Sequence, residues 1–190
     1  MGKRITLALT GASGSGFGVA VLKRLAANPE TERITLLFSA TGRRCLADEC
    51  GLTDKDLGAL SPKILIQGEK DLGAAISSGS HRQDGMVLVP CSAGALGRIA
   101  SGVSDTLVSR AADVCLKERR PLVLCLRETP LNRIHLENML RVHDAGAIVM
   151  PLMPGFYYGP KSIEDLFDAF ATRVLDQLGI AEEDPRRWKA

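Results

Sequence analysis

The chain has 190 residues, 45% hydrophobic and 24% charged, which is the composition of one globular domain and excludes a disordered, collagenous or fibrous protein. Its net charge of +2, from 24 Lys and Arg against 22 Asp and Glu, is too balanced for a protein whose main partner is nucleic acid. No run of about 18 apolar residues is present, so no membrane association is expected. Residues 1–9 read as a short strand rather than a signal peptide. Five cysteines (Cys45, Cys50, Cys91, Cys115, Cys125) without a C-x-x-C pair read as reduced thiols of a cytoplasmic protein. With only three histidines (His81, His135, His143), no metal site is expected.

Strand and helix signals alternate along the chain. A β-rich run over residues 4–10 stops at Gly11. Phe17, Val21, Leu22 and Leu25 recur at helical spacing over 15–27, and Asn28-Pro29 ends that helix. A strand over 33–38 follows, then helices over 41–49 and 54–60 and a strand over 63–67. The run 85–89 predicts a strand stopped by Pro90. Leu107, Ala111, Val114 and Cys115 share one face of a helix over 106–119. A strand over 121–126, a helix over 131–145, a short strand over 147–150 and a helix over 162–178 capped by Gly179 complete the chain. The first, fourth and fifth strands are nearly continuous apolar runs, as expected of strands buried on both faces. One doubly wound parallel α/β domain follows, with its ligand beyond the C-terminal strand ends.

Those strand ends carry the unusual residues. The first runs into Gly11-Ala12-Ser13-Gly14-Ser15-Gly16, a loop that reads as a phosphate cradle or as a tight turn with a serine cap. It is neither a Walker A loop nor G-x-S-x-G. Ser39 and the stretch Ser92-Ala93-Gly94-Ala95 bring small and hydroxyl residues to the same edge. Either they cap helices or they line a site for a flat, phosphorylated cofactor. Arg110, Asp113 and Lys117 share a helix face, while Glu118, Arg119 and Arg120 read as a solvated, ion-paired surface. Arg127-Glu128 ends a buried strand, where charge needs a purpose; the pair can clamp an anion and move a proton. His135 reads as structural, on a helix with Ile134, Leu136, Met139 and Leu140 as its apolar face. Cys91 has no basic neighbour to make it a nucleophile. Tyr157 and Tyr158 lie in a loop bounded by Pro and Gly and offer hydroxyls to a phosphate. Trp188, the single tryptophan, needs a surface to pack on, within the chain or on another subunit.

Together these pieces resemble the UbiX family of flavin prenyltransferases from end to end. The resemblance rests on T-G-A-S-G at 10–14, Glu49, P-C-S at 90–92 and the block R-A-A-D-V-C-L-K-E-R-R-P-L-V-L-C-L-R-E-T-P at 110–130. It is carried further by H-L-E-N-M at 135–139, M-P-G-F-Y at 153–157 with Pro160, and the tail P-R-R-W. Phe17 and Ala95 stand where many members have Tyr and Thr.

The resemblance implies a single Rossmann-like (flavodoxin-like) flavoprotein domain over 1–190. Its tail, from about residue 180, packs over the site or on a neighbouring subunit, and the assembly is a dodecamer. The implied reaction joins a dimethylallyl group from dimethylallyl phosphate to N5 and C6 of reduced FMN without a metal. The product, prenyl-FMN, serves a UbiD-type decarboxylase. By resemblance Gly11, Ala12, Ser13, Ser39, Ser92, Ala93, Gly94, Ala95 and Arg127 hold FMN. Lys117, Glu128, Tyr157 and Arg173 surround the dimethylallyl phosphate group, with Ser13 in reach. Arg110 and Glu49 match further active-site residues, and Trp188 a tail residue that helps close the site. Two other readings share the fold: an FMN-dependent cysteine decarboxylase, whose catalytic histidine His81 does not match in context, and a non-catalytic flavin carrier.

Overall fold

Leu7, Ala8, Val87, Leu88, Val123 and Leu124 have no exposed surface, because the strands that hold them lie mid-sheet with helices on both sides. The computed structural model describes residues 2–181 and 183–188. Met1, Glu182, Lys189 and Ala190, which belong to the expected domain and tail, lie outside the described residues. Six strands, β1 (Lys3–Leu9), β2 (Thr31–Phe38), β3 (Ile64–Gln67), β4 (Gly85–Cys91), β5 (Leu122–Leu126) and β6 (Ile148–Val149), form one parallel sheet in the order β3-β2-β1-β4-β5-β6. This is the strand order of a Rossmann sheet. Its direction of travel reverses between β1 and β4, which opens a crevice at their C-terminal ends.

Helices α1 (Ser15–Ala27), α2 (Ala40–Cys50), α3 (Asp54–Gly58) and α7 (Ile163–Gln177) cover one face, burying Val21, Leu22, Leu46, Leu57 and Val174. Helices α4 (Ala93–Ala100), α5 (Leu107–Lys117) and α6 (Arg133–Asp144) cover the other, burying Leu96, Ala111 and Val142. Each core is continuous with the sheet, as a two-sided parallel sheet requires.

Three local expectations need correction. Strand β4 does not stop at Pro90 but runs through it to Cys91. Proline has no N–H for the ladder, and the β4–β5 register shifts between Leu88 and Cys91. The Pro90 carbonyl instead accepts from Thr10 N at 3.1 Å and Thr10 Oγ1 at 2.9 Å. Helix α4 is missing from the elements expected in chain order, since its two glycines weaken the helical signal, although capping by Ser92 is one of the two expected roles. It forms because Ser92 caps it and Leu96 and Ile99, three apart, are buried. The apolar face expected on α6 is largely outside the core: Ile134, Leu136 and Leu140 are 65%, 53% and 60% exposed, and Val142 alone on the helix is buried. His135 sits in the first turn of α6, where its Nδ1 accepts from Asn132 N at 3.4 Å. Its backbone N–H donates to Asn132 Oδ1 at 2.9 Å in the box that starts α6.

Candidate functional site

At the crevice, Thr10 ties two strand ends together. Its buried hydroxyl donates to Pro90 O and accepts from Ser92 N at 2.8 Å. The loop after β1 is thereby locked to the loop after β4. Ser39 Oγ accepts from Gly42 N at 3.0 Å and Ser92 Oγ from Ala95 N at 3.2 Å, so both serines cap their helices. The Ala95 contact is through the backbone and needs no side-chain hydroxyl. A Cβ on Gly42 would stand 2.3 Å from Leu9 O, so the start of α2 approaches β1 at a distance only glycine permits. Between these loops lies a cavity of about 270 Å³ lined by Thr10, Gly11, Ser39, Ser92, Ala95 and Thr106.

Two carboxylates meet helix N-termini along this edge. Glu69 Oε2 accepts from Ala40 N at 3.1 Å at the start of α2. Glu49 Oε2 accepts from Gly14 N at 2.9 Å and Ser15 N at 2.8 Å, with Gly14 in the left-handed region at φ 108°. Burial raises the Glu49 carboxyl, but hydrogen bonds from the Ser15 and Gly14 amides, then from the Ser13 and Ser15 hydroxyls, bring it below the usual glutamate range. The amides read in sequence as a phosphate cradle therefore hold Glu49 in this structure. This places Glu49, Ser13 and the glycine loop together. Gly11 and Ala12 continue the same loop toward the cavity.

Arg127 and Glu128 follow the C-terminal end of β5. Arg127 N donates to Cys91 O at 3.0 Å, and Glu128 Oε1 accepts from Thr129 N at 3.1 Å. Cys91 is fully buried and burial pushes its thiol up to about 12, which excludes an accessible thiolate there.

A second cluster lies where α7 meets the 150–158 loop. Tyr157 and Arg173 line a common cavity of about 210 Å³. Trp188 packs edge-on against Tyr157 with ring centroids 5.5 Å apart, so its partner surface is intramolecular, although the indole stays 68% exposed. The tail is fastened by ion pairs. Buried Asp184 accepts from Arg186 Nε at 2.7 Å and Thr172 Oγ1 at 2.7 Å, and Arg186 also meets Asp168 at 2.8 Å. Phe17, the departure from tyrosine, packs edge-on with Phe167 and Phe170 in the α1–α7 seam.

Lys117 is elsewhere, and Arg110 stands beside the crevice in the first turn of α5, one residue after Ser109, which lines the cavity. Lys117 ends α5 and pairs with Glu118 beside Gly79, at the edge where β5 begins. Four residue steps of β5, at about 3.3 Å each, separate that edge from Arg127-Glu128. Within one protomer, therefore, Lys117 does not meet Glu128, and the sheet between α5 and α7 keeps it from Arg173. Arg110 donates to Ser77 O at 2.9 Å and pairs with Asp113 at 2.8 Å. Arg120, expected on a solvated surface, instead donates to Gly79 O at 2.7 Å and His81 O at 3.0 Å, clamping the loop before β4.

Sequence reading missed Thr10 as the tie, Glu69, and the acids Asp176 and Asp184. Glu69 follows β3 by two residues, so its position at the C-terminal edge was a usable signal. Asp176 and Asp184 gave only local pairings, with Arg173 and Arg186; their contacts with Arg187 and Thr172 are set by the docking of the tail.

A sheet reversal flanked by capped, glycine-bearing loops defines a nucleotide-binding α/β protein. A family described as Flavoprotein matches residues 1–174, and the chain belongs to it. Within it, the chain is 44% identical over 187 residues to the flavin prenyltransferase UbiX of Deinococcus radiodurans, covering 98% of this chain and 93% of the relative. It is 46% identical over 186 residues to that of Methanothermobacter thermautotrophicus, covering 98% and 95%. Kinship at this level makes the chain a member of the flavin prenyltransferase family. Its fold matches the crystal structure of AnUbiX in complex with FMN and dimethylallyl pyrophosphate at a TM-score of 0.89, with 44% identity over 94% of this chain and 93% of that one. A dodecameric FMN-dependent UbiX-like decarboxylase from Escherichia coli matches at 0.92, with 41% identity over 98% and 100%. The cysteine decarboxylase TvaF, at 0.66 and 17% identity, shares the fold alone.

Proposed function

We propose that the protein is a flavin prenyltransferase that joins the dimethylallyl group of dimethylallyl phosphate to reduced FMN. The observation that carries this reading is the identity of 44% along nearly the whole chain to AnUbiX, whose crystal structure holds FMN and dimethylallyl pyrophosphate.

The crevice suits FMN. Helix N-termini converge there with Ser39 and Ser92, and the glycine approach leaves room for a backbone-bound phosphate or ribityl chain. We assign Gly11, Ala12, Ser13, Ser39, Ser92, Ala93, Gly94, Ala95 and Arg127 to FMN. The reduced flavin supplies the nucleophilic N5 and C6 that receive the prenyl group. A cavity of about 270 Å³ is below the roughly 300–1,000 Å³ of sites that enclose a ligand of this size. We assign the rest of the site to a neighbouring subunit.

Around the prenyl donor, Arg173 and Tyr157 bind the phosphate and stabilise it as it leaves. The Tyr157 and Trp188 rings wall the site against water and face the allylic cation. Glu128 accepts the proton lost on ring closure, or shares it with the departing phosphate. Glu49 stands over the glycine loop, near the reacting groups, and Ser13 joins it. Arg110, beside the crevice, serves the same site, and Lys117, remote in its own protomer, serves the site of an adjacent subunit, where it adds a fixed charge beside the phosphate. The exposed Ile134, Leu136 and Leu140 of α6 supply apolar surface for assembly. By kinship with the Escherichia coli protein we assign a dodecamer. The product is passed to a UbiD-type decarboxylase. Five free thiols suit the cytoplasm, where we place the reaction.

The test is anaerobic mixing of protein, reduced FMN and dimethylallyl phosphate, followed by mass spectrometry of the released flavin. A prenylated flavin supports the reading. Unmodified FMN under conditions where an authentic flavin prenyltransferase turns over removes it.

A further inference from the structure

Asp176, on the last turn of α7, carries two arginines on one carboxylate. Arg187 of the tail reaches it with both terminal nitrogens, NH1 to Oδ2 at 2.9 Å and NH2 to Oδ1 at 2.7 Å. Arg173 reaches the same Oδ2 with NH1 at 2.7 Å. Asp176 is the least exposed of the three side chains, at 19% against 55% for Arg173 and 36% for Arg187. Oxygen Oδ2 is thus shared between two like charges that repel each other across it. The residue after Arg187 is Trp188, which seats on Tyr157.

We propose that Asp176 is a positioning residue that couples the seating of the Trp188 tail to phosphate capture by Arg173. This rests on the assignment of Arg173 and Tyr157 to the phosphate. In the ligand-free protein Arg173 weakens the hold of Asp176 on Arg187, by sharing its acceptor and by repulsion. A phosphate at Arg173 draws that guanidinium away and neutralises its charge. Asp176 is then left to Arg187 alone, in a bidentate pair, and the tail tightens with Trp188 against Tyr157. Substrate arrival closes the wall that keeps water from the allylic cation. No bond is made or broken in the coupling; it is an exchange of partners at one carboxylate. Arg186 and Asp184 anchor the base of the tail independently of this exchange.

Trp188 is the single tryptophan of the chain, so its fluorescence anisotropy reports the tail directly. The protein is loaded with oxidised FMN, so that dimethylallyl phosphate binds without turnover. In the unsubstituted protein the ligand should raise the Trp188 anisotropy. Arg173→Ala should reach that raised value with no ligand present, because the competitor for Asp176 is gone. Arg173→Lys, which restores a cation, should return the ligand-free value toward that of the unsubstituted protein. Asp176→Asn should lower the ligand-free value and abolish the response. A merely structural Asp176 does not account for tightening on removal of Arg173. Ligand-free anisotropy unchanged in Arg173→Ala, or a full ligand response in Asp176→Asn, overturns the coupling. Should Asp176→Asn fail to fold, the Arg173 pair still decides. Calorimetric affinity for dimethylallyl phosphate tests the underlying assignment separately. Arg173→Ala should weaken it about tenfold, the scale of one charge-assisted hydrogen bond, and unchanged affinity refutes the phosphate site without touching the ligand-free comparison.

Discussion

The crevice and the tail seam hold their residues in opposite ways. At the crevice the ties are uncharged hydrogen bonds that engage the backbone, with close packing: Thr10 to Pro90 and Ser92, serine caps on α2 and α4, and glycines that let elements touch. At the seam the ties are side-chain ion pairs, Arg24–Asp168–Arg186–Asp184 and Arg173–Asp176–Arg187, some between neighbours in sequence and some between the tail and α7. The first kind persists whatever binds. The second can exchange partners, and it weakens with salt and acid. A site that must hold a cofactor steadily and admit a reactive allylic phosphate under cover of water exclusion has a use for both.

Chemistry gives the largest expected effect and the sharpest break between regions. Glu128→Gln at the end of β5 should slow single-turnover prenylation about 10²-fold or more with FMN affinity intact, the usual scale of acid–base catalysis. If saturating substrate restores its rate, Glu128 only organises the site. Lys117→Leu should lower turnover by about 10²-fold through lost leaving-group stabilisation, although Lys117 touches neither region in its own protomer.

Next come changes that break the crevice and spare the seam. Gly42→Ala would set a methyl group 2.3 Å from Leu9 O, and the backbone has to yield. About 1–3 kcal/mol of stability should be lost, together with FMN affinity, while Trp188 emission in the folded protein stays the same. Thr10→Val keeps shape but leaves the partly buried Ser92 N–H without its acceptor. A loss of about 1–3 kcal/mol in chemical denaturation is expected. A loss of tail seating in either variant, with the crevice unaffected, would reverse the comparison.

Acid and salt give the smallest effects and act on the seam. Asp184 is held well below the usual carboxylate range by its hydrogen bonds to Arg186, and Asp168 is lowered chiefly by Arg24. A depressed folded-state pKa contributes stability that is complete above the unfolded value, about 3.9, and disappears as pH falls through the folded one. Trp188 emission should therefore shift below about pH 4. Molar salt, with a Debye length of about 3 Å, should weaken the exposed Arg173 and Arg187 pairs at neutral pH. Circular dichroism that falls in step with Trp188 in both titrations would show that the seam has no separate stability.

What could be read from the sequence follows the same division. Apolar runs such as Leu7 to Leu9 and Leu122 to Leu126 name buried strands without knowledge of their neighbours, and capping serines announce helix starts locally. The crevice was legible for that reason, down to Ser39 and the Ser92–Ala95 loop. Helix α4 and the passage of β4 through Pro90 were not, because packing overrode local glycine and proline signals. On α6 the apolar face was real, but its burial awaits contacts that one chain does not contain. The pairing of Arg173 with Asp176 has helical spacing, but the pairing of Asp176 with Arg187 and of Asp184 with Thr172 depends on where the tail lands, and no spacing encodes that.

The claim that a single site draws residues from more than one subunit is tested most directly by complementation. Lys117→Leu and Glu128→Gln proteins, each slowed about 10²-fold alone, are unfolded together, refolded as mixed oligomers and assayed for prenyl-FMN. Because Lys117 and Glu128 lie at opposite ends of β5, a shared site draws them from different chains. Random mixing should then restore roughly a quarter of full activity, since half the neighbours supply each residue in a symmetric assembly. Mixed oligomers as slow as their parents would place both residues in one protomer's site and contradict the account.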